Sequence, residues 1–265
     1  MIDGHRVIVV MPMYNEAPHV ADALGTVPAL VDDIVVVDDG SSDGSADAVR
    51  GAGDPRVCLI SHIRRGGVGR ALRTGLRAAL SLSPDLIATM DSDGQMWPED
   101  LPRLLAPLTR GEATYVKGDR FAPEISRRDM PAHRRLVNRV SSAYFSRVLG
   151  DGRLRDVQCG YTAMTSATAR MLVGRGFHPS YGVYNDMLSR VLAMPGSRVE
   201  YVPVAAIYGV EDSHLRFRDV LRLGALTLRI TLRRGRLLKS RTEAGRVGPV
   251  EAGRLGRGAA SQRAA

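Results

Sequence analysis

Apolar residues along the chain fall into short, nearly unbroken runs with longer mixed stretches between them. Val7-Ile8-Val9-Val10-Met11, Ile34-Val35-Val36-Val37 and Leu86-Ile87-Ala88-Thr89-Met90 are rich in β-branched residues and show no polar alternation. Runs of that length and kind read as strands covered on both faces, as in a parallel sheet. Residues 56–61, 113–117, 156–164 and 198–208 are the further strand candidates. Between them, helices are predicted from about Ala17-Pro18, from Gly66-Gly67-Val68-Gly69-Arg70 to Leu82, and from Pro98 to Leu108. Others are predicted over residues 132–149, 166–173 and from Tyr184 to before Pro195. Proline suits a first helical turn, where its missing N–H is not needed. Strands alternating with helices predict an α/β fold around a mostly parallel sheet.

Ligands of such sheets gather outside the carboxyl ends of the strands. The polar clusters of this chain lie at those ends. Pro12-Met13-Tyr14-Asn15-Glu16 follows the first run. Asp38-Asp39-Gly40-Ser41-Ser42-Asp43-Gly44-Ser45 follows the second, and Asp91-Ser92-Asp93-Gly94-Gln95 the fourth. Gly118-Asp119-Arg120-Phe121 follows the fifth. If residues 91–95 continue extended, Asp91, Asp93 and Gln95 share a face and converge on one hard cation, Mg²⁺ or Mn²⁺. Asp-x-Asp taken alone reads more readily as a polar turn. Neighbouring carboxylates repel, and a divalent ion bridging a nucleotide diphosphate offsets that repulsion. Around such a ligand, Tyr14 can stack on a base, Glu16 can bond a ribose hydroxyl and Asp39 can accept from base or ribose. Arg120 can offer a planar fork to phosphate. The glycines at 66, 67 and 69 let backbone approach a ligand closely. They are not a dinucleotide fingerprint, which directly follows a first strand.

Length and charge add an appendage to this body. The 265 residues are 44% apolar, enough for one large domain with an extension. Residues 216–265 hold 13 Lys and Arg against 3 Asp and Glu, whereas the preceding residues hold 24 against 25. A near-neutral body argues against nucleic-acid binding, and the basic end argues for an anionic partner. Arg222, Arg229, Arg233 and Arg236 share one face of a helix over residues 219–239. Val220, Leu223, Leu226, Ile230 and Leu237 occupy another. That helix would lie in a membrane interface, or pack on the body or on a second subunit. From Ser240 the composition predicts disorder. The expected organisation is therefore a catalytic body at 1–212, a loop and amphipathic helix at 213–239 and a basic tail at 240–265. No run of 18 uncharged apolar residues exists, so no spanning helix is expected. The chain reaches its first strand by Val7 without the long apolar region of a signal peptide. Cys58 and Cys159 form no disulfide framework and read as core residues of a protein in a reducing compartment.

Met11-Pro12-Met13-Tyr14-Asn15-Glu16, Val37-Asp38-Asp39-Gly40-Ser41-Ser42-Asp43-Gly44-Ser45 and Asp91-Ser92-Asp93-Gly94-Gln95 with Pro98-Glu99-Asp100 resemble the family-2 glycosyltransferases. Within them the chain looks like the dolichyl- or polyprenyl-phosphate sugar synthases. Gly66-Gly67-Val68-Gly69-Arg70-Ala71, Lys117-Gly118-Asp119-Arg120-Phe121 and Asp156-Val157-Gln158-Cys159-Gly160-Tyr161-Thr162-Ala163 extend the match over residues 5–210. The resemblance implies a glycosyltransferase-A fold, a nucleotide-diphospho-sugar donor and inverting single displacement. It carries over Pro12, Tyr14, Glu16 and Asp39 as nucleoside contacts. Asp91, Asp93 and Gln95 become the metal site, with Asp91 also on the nucleotide and Asp93 catalytic. Arg120 faces phosphate, and Arg134 or Arg135 lies near an acceptor phosphate. Arg216 falls in a basic acceptor loop around residues 212–218, where His214 reads as a polar loop residue. Asp186 is the acidic residue near the acceptor, a base if the acceptor is a hydroxyl. As a helix-start carboxylate it has an equally good structural explanation. A lipid-phosphate acceptor implies a cytoplasmic protein lying peripherally on the membrane. The alternatives are a soluble hydroxyl acceptor and a non-catalytic nucleotide-sugar-binding protein.

Overall fold

A computed structural model describes residues 1–122, 132–175, 178, 179, 182–205 and 207. Seven strands form one sheet in the order β3-β2-β1-β4-β6-β5-β7. They are β1 Val7–Met13, β2 Asp33–Asp38, β3 Val57–Ser61, β4 Leu86–Thr89, β5 Tyr115–Asp119, β6 Thr162–Thr165 and β7 Val199–Pro203. The described helices are α1 Val20–Gly25, α2 Ser45–Gly51, α3 Val68–Ser81, α4 Leu101–Thr109, α5 Ala132–Leu149, α6 Ser166–Arg175 and α7 Val183–Leu192.

Both faces of the sheet are covered, which is why its central strands carry no polar alternation. Ile8, Val10, Val35 and Val37 pack on one face with Leu72 and Leu76 of α3, Leu172 of α6 and Met187 and Leu188 of α7. Val7, Val9, Ile34 and Val36 pack on the other with Leu24 of α1, Val49 of α2 and Leu104 and Leu105 of α4. Alternate residues of one strand thus enter two separate cores.

β1, β2, β3 and β4 are mutually parallel, with Val9 opposite Ile34 and Ala88, and Val36 opposite Leu59. β6 runs antiparallel to both β4 and β5, whereas β5 and β7 are parallel. The reversal matters for the site. An antiparallel β6 starts where its neighbours end, so residues 156–161 arrive at the carboxyl ends of β4 and β5.

Three expectations are corrected. β1 does not stop at Pro12 but continues to Met13, with Pro12 opposite Val37. The N–H that proline lacks would point towards β4, which ends at Thr89; on that side the Pro12 carbonyl accepts from Ser92 Oγ instead. The strand expected over 156–164 is confined to Thr162–Thr165, because Asp156 draws the backbone before it into a turn. Cys159 is buried as expected, but Cys58 is exposed, since β3 is the edge strand of the sheet. Among the described residues no helix is long and apolar enough to cross a membrane. The segments 213–239 and 240–265 lie outside the described residues.

Candidate active site

The loops after β1 and β2 are laced together by side chains that accept backbone N–H groups. Asn15 N–H donates to Ser41 Oγ at 2.9 Å and Glu16 N–H to Ser45 Oγ at 2.8 Å. Ser42 N–H donates to Asn15 Oδ1 at 3.0 Å, and Ala17 N–H to Asp43 Oδ2 at 3.0 Å. Short Ser, Asn and Asp side chains suit this work because they compete well for nearby backbone groups. Tyr14 and Glu16 are thereby held at the end of β1, beside Pro12. The guanidinium of Arg65 lies over the Tyr14 ring, 3.9 Å from its centroid. That cation–π contact covers one face of the ring expected to stack on a base.

Asp39 is buried and serves the chain itself. Its carboxylate accepts from Gly66 N–H at 2.9 Å, Gly67 N–H at 2.6 Å and His62 Nδ1 at 2.7 Å. The acidic loop after β2 thus fixes the glycine segment that opens α3. The close approach that these glycines permit is likewise to protein. Gly69 N–H donates to the Pro179 carbonyl at 2.9 Å, and a Cβ on Gly69 would stand 1.9 Å from the His178 carbonyl oxygen.

Residues 91–95 form a turn, not an extended segment. Asp93 Oδ1 accepts from Gln95 N–H at 2.9 Å, and Gly94 takes a positive φ of 73°. The shared face expected from strand periodicity therefore does not exist. In its place stands a turn whose backbone Asp93 itself ties. Asp91 is oriented from α7, where Tyr184 Oη donates to its Oδ1 at 3.2 Å. Gly160 lies beneath this carboxylate: an added Cβ would come within 2.8 Å of Asp91 Oδ2 and 3.0 Å of Tyr184 Oη. Burial and the neighbouring Asp91 hold the Tyr184 phenol well above its ordinary pKa, so it stays a donor. Among the described residues no three His, Cys, Asp or Glu side chains gather as a metal set. Two carboxylates with the Gln95 amide still fit a hard cation that completes its shell with phosphate and water. The space that Gly160 leaves for Asp91 is consistent with that fit.

At the end of β5, Arg120 meets Asp156, which β6 delivers from the opposite direction. Arg120 Nε donates to Asp156 Oδ2 at 2.7 Å and Nη2 to Oδ1 at 3.1 Å. Asp156 also accepts from the Cys159 N–H at 3.0 Å and the Gln158 N–H at 3.2 Å. Burial raises the pKa of this carboxyl, but the charge and hydrogen bonds of Arg120 and the charge of Lys117 outweigh it. The net shift is downward. Lys117 is fully buried below, its Nζ donating to the Cys159 carbonyl at 2.7 Å. Burial lowers the pKa of this ammonium, while Cys159, Asp156 and Asp91 oppose the shift. Burial pushes the Cys159 thiol up to about 11, which removes it as a nucleophile.

Asp186 lies in the first turn of α7 and is fully engaged in structure. Its Oδ2 accepts from the His178 N–H at 2.9 Å and its Oδ1 from Arg190 Nε at 2.9 Å. Arg135 is on α5, half-buried in the first turn. Arg134 belongs to the same turn, but its side chain lies outside the described residues, as does Arg216. Asp156, Lys117, Gly160 and Tyr184 were not singled out as site residues by sequence reasoning. The polar entry of the 156–164 run was the available signal for Asp156. Nothing local marks Tyr184, because its partner is 93 residues away.

The fold is a doubly covered α/β sheet whose carboxyl edge carries acidic turns at the ends of adjacent strands. In sheets of this architecture ligands bind at the carboxyl edge. The chain belongs to glycosyl transferase family 2, whose profile matches residues 8–172. It is 32% identical to the undecaprenyl-phosphate mannosyltransferase of Micrococcus luteus over 76% of this chain and 84% of that protein. It is also 32% identical to the polyprenol monophosphomannose synthase of Mycolicibacterium smegmatis, over 60% of this chain and 61% of the other. Among solved structures, glucosyl-3-phosphoglycerate synthase of Mycobacterium tuberculosis with Mn²⁺, uridine-diphosphate-glucose and phosphoglyceric acid superposes with a TM-score of 0.66. That match has 20% identity and covers 87% of this chain and 80% of the other. The shared fold is glycosyltransferase-A.

Proposed function

We propose that this glycosyltransferase moves a sugar from a nucleotide-diphospho-sugar to a polyprenyl phosphate by single in-line displacement, with inversion. The observation that carries the reading is the meeting of the Tyr14, Asp39, Asp91 and Arg120 clusters at one sheet edge. Two relatives matched over most of their own length are an undecaprenyl-phosphate mannosyltransferase and a UDP-N-acetylglucosamine–dolichyl-phosphate N-acetylglucosaminyltransferase, which supports a lipid-phosphate acceptor.

Pro12, Tyr14 and Glu16 would line the nucleoside subsite. Asp39 contributes by fixing the Gly66-Gly67 backbone beside it. Asp91, Asp93 and Gln95 would hold Mg²⁺ or Mn²⁺, which when bound neutralises charge developing on the leaving diphosphate. Tyr184 orients Asp91 for that role. Asp156 fixes the plane of the Arg120 guanidinium, so that this cation faces the phosphates without reorganising during the reaction. Arg135, with Arg134 and Arg216, would meet the acceptor phosphate.

A phosphate oxygen is already ionised near neutral pH and attacks without a protein base. A hydroxyl acceptor requires one. The commitment of Asp186 to the His178 N–H and Arg190 therefore favours the phosphate acceptor. Incubation with labelled donor and either a polyprenyl phosphate or the matching polyprenol tests this. The phosphate should yield organic-extractable sugar, and Asp93→Ala should abolish it while the protein stays folded. Transfer to the alcohol alone, or to soluble hydroxyl compounds alone, would refute the reading.

A further inference from the structure

Lys117 is the middle residue of β5, and no part of it reaches solvent. Its strand neighbours are Thr162 of β6 and Tyr201 of β7. Its Nζ donates to the Cys159 carbonyl at 2.7 Å and lies 5.6 Å from the centroid of the Tyr184 ring. Thr89 Oγ1 donates to the adjoining Gly160 carbonyl at 2.7 Å. Two side chains of the sheet thus hold successive carbonyls of the segment that leads into β6. One of them is neutral and the other is a cation.

The cation needs a reason. An ammonium carries three donors, and among the described residues this one makes a single hydrogen bond and no ion pair. A buried charge without a touching counter-charge is costly. The Thr89 hydroxyl does the same work on Gly160 without that cost. Nor is the ammonium a habit of composition: in a chain with 37 lysines and arginines, Lys117 and Lys239 are the only lysines. The charges acting on it belong to the proposed diphosphate site. Burial lowers the pKa of Lys117, and Asp156 and Asp91 are among the groups that oppose the shift. Both contacts of the ammonium lead to the same place. The Cys159 N–H is bonded to Asp156, which holds Arg120. The Tyr184 hydroxyl is bonded to Asp91.

We infer that Lys117 is a positioning residue for the nucleotide diphosphate: its buried charge offsets the Asp91 and Asp156 carboxylates and favours the anionic diphosphate at this edge without touching it. The inference rests on the donor reading given above. A fixed charge inside protein acts more strongly than one in water, and it needs no reorganisation when the ligand arrives. The hydrogen bond to Cys159 and the face of the Tyr184 ring hold the ammonium in place. One cation therefore stands behind both the arginine proposed to face phosphate and the first carboxylate proposed to hold the metal.

Calorimetric titration of the full-length protein with GDP and UDP, each with Mn²⁺, and with guanosine and uridine tests this. Lys117→Met removes the charge at similar side-chain length. Lys117→Gln removes it but keeps a donor for the Cys159 carbonyl. In both variants the affinity for the diphosphate that wild type binds should fall about tenfold, because one fixed charge is lost. Affinity for the matching nucleoside should be unchanged. Lys117→Met should melt at or above the wild-type temperature, since it relieves the desolvation of a buried charge while Asp156 keeps Arg120. Unchanged diphosphate affinity in both variants would overturn the inference and leave the donor reading standing. Wild-type affinity in Lys117→Gln alone would also overturn it, because the effect would then belong to the hydrogen bond. So would a parallel loss of nucleoside affinity with a lowered melting temperature, which would make Lys117 a structural residue. If wild type bound neither diphosphate, the donor reading would fall and the inference with it.

Discussion

Asp156 and Arg120 illustrate how an arginine proposed to face phosphate is held by a buried carboxylate. The Asp156 side chain has no exposed surface, and Arg120 is its principal counter-charge. Removing the guanidinium leaves a buried charge with only Lys117 and backbone N–H groups to offset it, so Arg120→Ala should lose about 3 kcal/mol of stability near neutral pH. The sign of its pH dependence is diagnostic. In the intact protein Asp156 titrates below its unfolded value, and its contribution is lost only as the pH falls through that depressed value. In Arg120→Ala the stranded carboxyl should titrate above its unfolded value, so acidification relieves the defect. Chemical denaturation from neutral pH down to about pH 4.5, just above the ordinary carboxylate range, should show the gap between the two proteins narrowing. A constant or widening gap would mean that Asp156 is stabilised by its backbone donors without Arg120. Tyr184 makes a milder case. Tyr184→Phe removes one hydrogen bond to Asp91 and little packing. It should reduce turnover about tenfold, with a stability cost within about 1.5 kcal/mol. A change in stability with full activity would place Tyr184 outside the reaction.

At the scale of elements, the strands and helices were legible because both signals are local. Continuous β-branched runs gave β1, β2 and β4, and the helix over Ala132–Leu149 was expected with the same limits. The shape of the 91–95 segment was not legible. Strand periodicity extended it, whereas the Asp93–Gln95 hydrogen bond and Gly94 turn it. The direction of β6 was also hidden, since antiparallel pairing is decided by partners far away in sequence. That direction puts Asp156 and Gly160 at the site. The role of the glycines at 66–69 changed for a similar reason: their close partner is the 178–179 backbone, which only the tertiary fold brings there. Gly69→Ala would drive a methyl group into the His178 carbonyl. It should cost about 2 kcal/mol or more, because the obstacle is backbone and not the end of a flexible side chain. A thermal melt matching wild type would show that the 178–179 segment moves aside freely.

Across the whole molecule, the chain divides by charge more sharply than composition suggests. The excess of basic residues sits at 216–265, beyond a nearly neutral body. Within that body, α5 concentrates four arginines with no acidic residue. Net charge alone could not reveal that helix, because acidic loops at the carboxyl edge of the sheet balance it. What sequence conveyed well was the position of the strand-end motifs proposed for the donor, since each motif is contiguous. The parts supplied by α7 and by the approach to β6 became visible only when the sheet order placed them beside β4 and β5. The central claim is displacement of the nucleotide diphosphate by a lipid phosphate oxygen at this edge. Its most direct test is the anomeric configuration, by NMR, of the product formed from an α-linked nucleotide sugar and a polyprenyl phosphate. The account predicts a β-linked sugar attached through the lipid phosphate; an α-linked product, or a sugar attached at any other oxygen, would contradict it.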